Sequence, residues 1–368
     1  FSACRPSADF RTTPSRPRTN PPRLLPYPPT FGRFPTLPPP HVPPEPRLMA
    51  QPASEPTSLA GRMVIISPCR DEAEYAQRTI DSMVAQSRRP DLWLVVDDGS
   101  TDATPDMLAA ASAEHDWIHV LRREDRGHRA VGPGVVDAFL AGLAEIDRAD
   151  VAILGKFDLD VDLPPRYLER LEGRFAADPR LGTCSGKPYF LDAAGRRVSE
   201  KISDEMSAGM TKLWRRACYE DIGGLVREVM WDGIDCHRCR MHGWKACSFD
   251  DPELAFEHLR PMGSSQKGIW TGRTRHGFGQ WFMGTSFAYM TASAVYRMTR
   301  PPLLIGGLAM WWGYVKAMLG GERRYEDREF RSFLRRYQWS SLLRGKRATV
   351  ARLDAAGEAR WQRRFGAA

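Results

Sequence analysis

The sequence predicts an α/β chain, a doubly wound and mostly parallel sheet followed by a helical, apolar C-terminal region. Three observations carry that expectation. From residue 63 onward, short apolar runs rich in β-branched residues alternate with stretches of helical period. Acidic clusters stand directly after two of those runs. Beyond about residue 260, the chain turns to long apolar stretches rich in Trp, Tyr and Met.

The elements follow in order. "MVIISPC" (63–69) reads as a buried strand bounded by Pro68. Residues 72–87 read as a helix with Ile80, Met83 and Val84 on one face, and Leu92–Val96 as a second strand. Residues 103–114 are a helix, "WIHVL" a third strand, 134–147 a helix and "DVAILGKFD" a fourth strand. "LPPRYLERLEGRFA" is a helix opened by proline, and "RLGTCSGKPYF" a further strand. Asp232 and Asp235 lie one helical turn apart, Gly243 ends that helix, and "WKACSF" resumes a strand.

Two apolar stretches, "FGQWFMGTSFAYMTASAVYRM" and "PPLLIGGLAMWWGYVKAML", follow. The second is near the length of a bilayer span but carries Lys316. Interfacial helices are favoured, because Trp and Tyr flanked by arginines suit a membrane surface. A buried helical cover is the competing reading, and a full span ranks behind both. The basic tail from Glu322 is expected to be helical, and either rests on anionic headgroups or is simply solvated.

Composition narrows the class. The 368 residues carry a formal net charge of +8, which suits acidic partners such as nucleotide phosphates, anionic lipid or nucleic acid without choosing among them. Seven scattered cysteines form no framework and suit a reduced, cytoplasmic compartment. Residues 1–62 hold more than half of the 29 prolines and lack a continuous apolar run. They read as a disordered leader or an over-extended gene start, with Met49 and Met63 as candidate starts. The expected organisation is leader 1–62, α/β domain 63–260 and helical, possibly membrane-associated region 261–368.

The chemistry gathers in three acidic places. Asp97 and Asp98 end the second strand before a glycine and a row of hydroxyl residues. That pattern is a turn and helix cap, and also a ligand mouth, since open α/β sheets bind ligands where strands end. "KFDLDVD" carries Asp158, Asp160 and Asp162 at alternate positions. An extended segment would point Asp158 and Asp160 the same way, which is costly without a cation. Mg²⁺ binds such carboxylates together with substrate phosphates. Asp232, at an element's start, is a reasonable general base, with capping as its bland alternative.

These motifs in this order make the chain similar to a family 2 glycosyltransferase of GT-A fold over roughly residues 63–260. The resemblance rests on "VIISPCRDEAEYAQRTIDSMVAQSRRPDLWLVVDDGSTDAT", "DLDVDLPPRYLE" and "GGLVREVMWDGIDCHRCRMHGWKA". It implies that Asp98, with Asp97, contacts a nucleotide base, and that Pro68, Arg70 and Glu72 line the same pocket. Asp158 would sit near the ribose and metal, and Asp160 would ligate the Mg²⁺ or Mn²⁺ that bridges the diphosphate. Asp232 matches the catalytic base, with Asp235 as competitor, and His258 matches a late histidine near the metal. Lys156, Arg126 and Arg129 are phosphate candidates.

The chain departs from the family pattern where Arg70 replaces the usual Asn and Trp231-Asp232 replaces Glu-Asp. It lacks the Gln-x-x-Arg-Trp motif of processive polymerases, which favours a single-addition enzyme. The implied reaction is metal-dependent, inverting transfer from a nucleotide-sugar donor to a hydroxyl of a glycan or lipid-linked acceptor, in envelope or exopolysaccharide synthesis. The expected place is cytoplasmic, peripheral on the inner face of the membrane, with no nucleic-acid partner. Two alternatives are a non-catalytic basic docking module and a sugar nucleotidyltransferase, though "SPCRDEAEY" lacks the glycine-rich basic loop of the latter. Cys236, Cys239, His237, His242 and Cys247 suggest zinc only weakly, because no second matching pair follows.

Overall fold

The structure is a computed structural model that describes residues 59–127, 132–260, 268–300 and 303–365. The proline-rich leader as far as residue 58, and Arg129 among the phosphate candidates, lie outside the described residues.

Along the chain come β1 (Arg62–Cys69), α1 (Ala76–Val84), β2 (Leu92–Asp97), α2 (Thr104–Glu114), β3 (Ile118–Arg122), α3 (Pro133–Ala144) and β4 (Val151–Phe157). Next are β5 (Val161–Asp162), α4 (Tyr167–Ala177), β6 (Leu181–Ser185), β7 (Lys187–Leu191), β8 (Arg197–Ser199) and β9 (Thr211–Arg215). The α/β part ends with α5 (Arg216–Asp221), α6 (Trp231–Met241), β10 (Lys245–Ser248) and β11 (Ala255–His258). The helices α7 (Gly268–Met283), α8 (Phe287–Met298), α9 (Ile305–Leu319), α10 (Arg328–Arg344) and α11 (Lys346–Phe365) follow.

The main sheet has the order β10-β6-β9-β4-β1-β2-β3. Its pairs are parallel except at β9, which runs antiparallel to both β4 and β6. The fold is therefore mixed α/β with a mostly parallel sheet, as the alternating pattern predicts. β1 and β4 are sheathed on both faces, which is why they read as continuous apolar runs rather than alternating ones. Val64 and Ile66 pack with Phe139 of α3, while Met63 and Ile65 pack with Ile80 and Met83 of α1.

The register sets the site. Cys69 is level with Asp97, and Asp97 with Arg122, so the carboxyl ends of β1, β2 and β3 share one edge. Phe157, the end of β4, pairs with Thr211, the beginning of β9. The antiparallel strand thus delivers residues 208–210 to the edge where β4 ends. A second sheet, in the order β5-β11-β7-β8, places His258 opposite Val161.

Two elements differ from the sequence-based expectation. The first helix starts at Ala76 rather than residue 72, because the preceding backbone is committed to the turn after β2. Asp71 N–H donates to Ser100 Oγ at 2.9 Å and Glu72 N–H to Thr104 Oγ1 at 2.8 Å, with Asp71 at φ 52°. The strand expected over 180–190 divides at Gly186 into β6 and β7, which serve different sheets. A Cβ on Gly186 would stand 1.8 Å from the Leu254 carbonyl oxygen, so only glycine allows the crossing.

The C-terminal helices are built onto the α/β part. Phe330, Leu334 and Tyr337 of α10 share a core cluster with Ile234 of α6. Trp361 of α11 meets Trp244 edge-on at 6.3 Å. Helix α9 buries one face and exposes Ile305, Leu308, Trp312 and Leu319 on the other. Among the described residues, no helix is long and apolar enough to cross a membrane.

Gly186→Ala should lose about 1–3 kcal/mol or more of stability, the usual cost of forcing atoms into a filled space. Thermal denaturation of the purified variant checks this, and a wild-type melting temperature would mean that the Gly186–Leu254 approach is not as close as described.

Candidate active site

Asp97 is fully buried at the end of β2. Its Oδ1 accepts the Ser100 N–H at 2.8 Å and thereby holds the turn. Its Oδ2 has no hydrogen-bond partner among the described residues, with Arg122 Nε 3.7 Å away. Asp98 is clamped by Arg123 Nη1 at 2.8 Å and by Arg126. Arg70 donates to the Asp98 carbonyl at 2.7 Å and to Asp125 Oδ1 at 2.6 Å. Pro68 is buried within β1, level with Val96. Like charges at the strand end are thus held by arginines from the segment after β3.

The segment after β4 bends instead of continuing extended, and Asp158 and Asp160 meet different partners. The bend has a backbone cause. Asp158 N–H donates to the Met210 carbonyl at 2.8 Å, while Thr79 Oγ1 donates to the Leu159 and Val161 carbonyls at 2.8 and 2.7 Å. The Asp158 carboxylate pairs with buried Lys156, whose ammonium also donates to the Gly209 carbonyl at 3.1 Å. Asp162 leaves the cluster for Arg78, at 2.5 Å.

Asp160 is 7% exposed and faces the end of β11. His258 Nε2 lies 3.8 Å from its Oδ1, and Arg260 Nε 3.8 Å from its Oδ2. Neither is hydrogen-bonding distance, and Oδ1 is a buried acceptor without a partner among the described residues. Burial first, and then the Asp158 charge, raise the Asp160 carboxyl above its ordinary range. His258 Nδ1 meets Glu200 Oε2 at 2.8 Å. Burial acts most strongly on this imidazole and disfavours its charge, but Glu200 and Asp160 together outweigh burial and raise it. Arg260 also pairs with buried Glu72, which joins the loop after β1 to the same place.

Asp232 occupies the first turn of α6, behind Met230 in the left-handed region at φ 67°. A Cβ on Gly209 would come within 3.1 Å of Asp232 Oδ2, so this glycine leaves the carboxylate its room. Gly209 therefore links Asp232 on one side to Lys156 and Asp158 on the other. No hydrogen-bond partner of the Asp232 carboxylate is found among the described residues, and the side chain is half-buried.

Its competitor Asp235 is differently placed. Asp235 is 1% exposed, accepts from Lys212 Nζ at 2.6 Å and from Trp214 Nε1 at 2.8 Å, and so has both oxygens engaged. Lys212 is also buried and donates to the Asp232 carbonyl at 2.7 Å. Burial opposes its charge, but Asp235 holds it ionised. The Trp231 ring faces Lys156 at 5.4 Å and Lys212 at 5.5 Å.

The residues with zinc-like spacing scatter. Cys236 Sγ lies 3.4 Å from Lys212 Nζ, Cys239 Sγ lies 3.4 Å from Cys218 Sγ, and the His237 ring stacks edge-on against Tyr337 at 4.7 Å. Among the described residues there is no group of three or more metal-capable side chains. Asp160 and His258 are a pair, and an orphaned carboxylate oxygen beside an imidazole fits a hard cation that takes its remaining ligands from phosphate and water.

Sequence reasoning missed Arg260, Glu200, Lys212 and Gly209. Arg260 stands two residues after His258 and was findable from the charge demand of Glu72 and Asp160. Glu200 follows the exposed strand β8 and carries no local signal.

Residues 64–226 match the family model for Glycosyl transferase family 2. Over that stretch the chain is similar to a family 2 glycosyltransferase domain. Over 121 residues the chain is 27% identical to a poly-beta-1,6-N-acetyl-D-glucosamine synthase of Staphylococcus aureus, a match covering 33% of this chain. It spans 27% of the length of that synthase. Among solved structures, the mannosyltransferase PcManGT from Pyrobaculum calidifontis, in complex with GDP-Man and Mn²⁺, aligns with 19% identity and a TM-score of 0.45. That alignment covers 84% of this chain and 88% of the mannosyltransferase. TarS of S. aureus aligns with 13% identity and a TM-score of 0.41 over 83% of this chain and 54% of TarS. The glycosyltransferase match includes Asp97, Asp98, Asp158, Asp160 and Lys212 but ends before Asp232 and His258.

Asp235→Asn should destabilise the protein by about 3–5 kcal/mol, because it strands a buried ammonium. Asp232→Asn should stay within about 0.5 kcal/mol of wild type, as surface-type changes do. Denaturant melts of the two variants side by side check the contrast, and equal losses would mean that Asp232 is a structural cap.

Proposed function

We propose that this chain is a metal-dependent, inverting glycosyltransferase. It moves a sugar from a nucleotide-sugar donor to a hydroxyl of a glycan or lipid-linked acceptor, in envelope or exopolysaccharide synthesis at the inner face of the membrane. The observation that carries the reading is the half-buried Asp232 carboxylate, without a hydrogen-bond partner among the described residues and set across Gly209 from Lys156 and Asp158. The synthase relative, a maker of a β-linked polysaccharide by its name, supports the acceptor class.

Asp97, Asp98, Pro68, Arg70 and Glu72 bind the nucleoside end of the donor, where the strand ends offer oriented carboxylates and backbone groups. Asp160 and His258 would hold Mg²⁺ or Mn²⁺, which when bound neutralises charge on the leaving diphosphate. Asp158 meets the ribose, and Lys156, Arg126 and Arg260 add positive charge beside the phosphates. Asp232 accepts the proton of the acceptor hydroxyl as its oxygen attacks the anomeric carbon from the face opposite the diphosphate. The bond to the diphosphate oxygen breaks as the new glycosidic bond forms, and the anomeric configuration inverts. Asp235, committed to Lys212, takes no part in proton transfer.

The test is thermal stability against a panel of nucleoside diphosphates and nucleotide sugars, with and without Mn²⁺, since a ligand of the folded state raises the melting temperature. One nucleotide should give a Mn²⁺-dependent shift, which Asp160→Ala abolishes. No shift with any nucleotide would remove the donor reading. Asp232→Asn should keep the shift and lose about 10²–10⁴-fold in turnover, the usual range for a lost general base. Turnover at the wild-type rate would place the base elsewhere, and retained anomeric configuration by NMR would end the inverting assignment.

A further inference from the structure

The outward face of α10 and the segment before it form an open groove of about 790 Å³. Six arginines line it, Arg324, Arg328, Arg331, Arg335, Arg336 and Arg344. None of the six has a carboxylate partner among the described residues. Many arginines elsewhere in the protein are matched to acids, as at Arg62–Asp150, Arg180–Glu358 and Arg364–Asp221. Burial and the neighbouring charges of Arg335 and Arg331 push the Arg324 guanidinium below its ordinary value. Concentrating like charges this way is unfavourable unless an anion arrives. The guanidinium fork suits phosphate, which it binds in bidentate fashion.

The groove is not purely polar. Trp339 and Leu343 line it, and Leu343 is 79% exposed. Helix α9 meets α10 on its inner side, where Tyr314 Oη donates to the Thr285 carbonyl at 2.8 Å and Gln338 of α10 donates to Thr285 Oγ1 at 2.9 Å, and its other side presents an apolar row of its own. Ile305, Leu308, Trp312 and Leu319 recur at helical spacing on its exposed side, with Lys316 in the same row. On α8, Val295 and Tyr296 are also more than half exposed. Water-exposed leucines beside unpaired arginines are a poor surface in solution and a good one at a lipid interface.

We infer that the arginine-lined groove of α10, with Trp339 and Leu343 in its lining and the exposed apolar residues of α8 and α9, docks this protein on a bilayer rich in anionic phospholipid. The headgroup phosphates take the arginines, while Trp339, Leu343 and the α9 row enter the interface. A nucleic acid would satisfy the arginines but not the aliphatic side chains. Docking lies in the plane of the surface, in keeping with the shortness of the helices. The inference deepens the membrane-proximal part of the proposed function and does not depend on the donor chemistry.

The experiment is co-sedimentation of the full chain with vesicles of phosphatidylcholine alone and of phosphatidylcholine with phosphatidylglycerol. The chain should sediment with the anionic vesicles only, and less so as salt is raised. Arg328→Glu/Arg336→Glu/Arg344→Glu should cut partitioning about tenfold or more, while the same three changes to Lys keep most of it. Leu343→Asp, which leaves every arginine in place, should also weaken it. Equal sedimentation with both vesicles would overturn the inference, as would no sedimentation, or undiminished binding by a folded Glu variant. Stabilisation by inorganic phosphate or a polynucleotide without vesicle binding would likewise overturn it. The nucleotide-induced melting shift, measured in the same samples, keeps the two readings apart: its presence without vesicle binding sinks this inference alone.

Discussion

The buried ion pair between Lys212 and Asp235 ties strand β9 to helix α6, and the candidate site hangs on that tie. Two charges withdrawn from water are tolerated only when each is fully matched. Here Trp214, the Asp232 carbonyl and the Trp231 ring complete the matching. The result fixes the rotation of α6, which turns Asp235 inward and leaves Asp232, three residues earlier, facing Gly209. Because β9 runs against its neighbours, its beginning rather than its end stands at the ligand edge. The antiparallel strand therefore carries the anchor of α6, and the segment that leads into it carries the glycine that makes room for the Asp232 carboxylate.

Charge balance at the edge follows a second constraint. Carboxylates brought together at strand ends repel one another, so cations from nearby and from distant parts of the chain are set against them. Arg123 and Arg126 serve Asp98, Lys156 serves Asp158, and Arg260 stands between Glu72 and Asp160. Asp160 is the incompletely satisfied member, with one buried oxygen unpaired among the described residues. A binding site differs from a structural ion-pair network in that way: the remaining need is met from outside the protein.

The C-terminal helices stand in a different relation to solvent. Their inner faces complete the core around α6 and Trp244, while their outer faces keep leucines and arginines in the open. Of the two expectations for this region, the buried helical cover is what the inner faces form, and the interfacial helices stay a proposal that rests on the outer faces. An amphipathic helix two layers out from a sheet has one face for each purpose.

What the sequence by itself determined was local. Alternation of apolar runs specified β1, β2, β3, β4, β6 and β10 and their parallel arrangement, though not the antiparallel β9, and small and acidic residues after Val96 and Phe157 marked where strands end, because period and turn chemistry are properties of neighbouring residues. The first acidic pair, the Asp158 and Asp160 cluster and Asp232 were legible for that reason. The tertiary structure decided what depends on distant partners. It bent the Asp158–Asp160 segment through bonds from Thr79 and Met210, and divided residues 180–190 between two sheets at Gly186. It set Asp232 apart from Asp235 through Lys212, and brought Glu200 and Arg260 to the site by strand pairing. None of these leaves a mark in its own stretch of chain, since the energy that fixes each belongs to a contact between segments far apart in sequence.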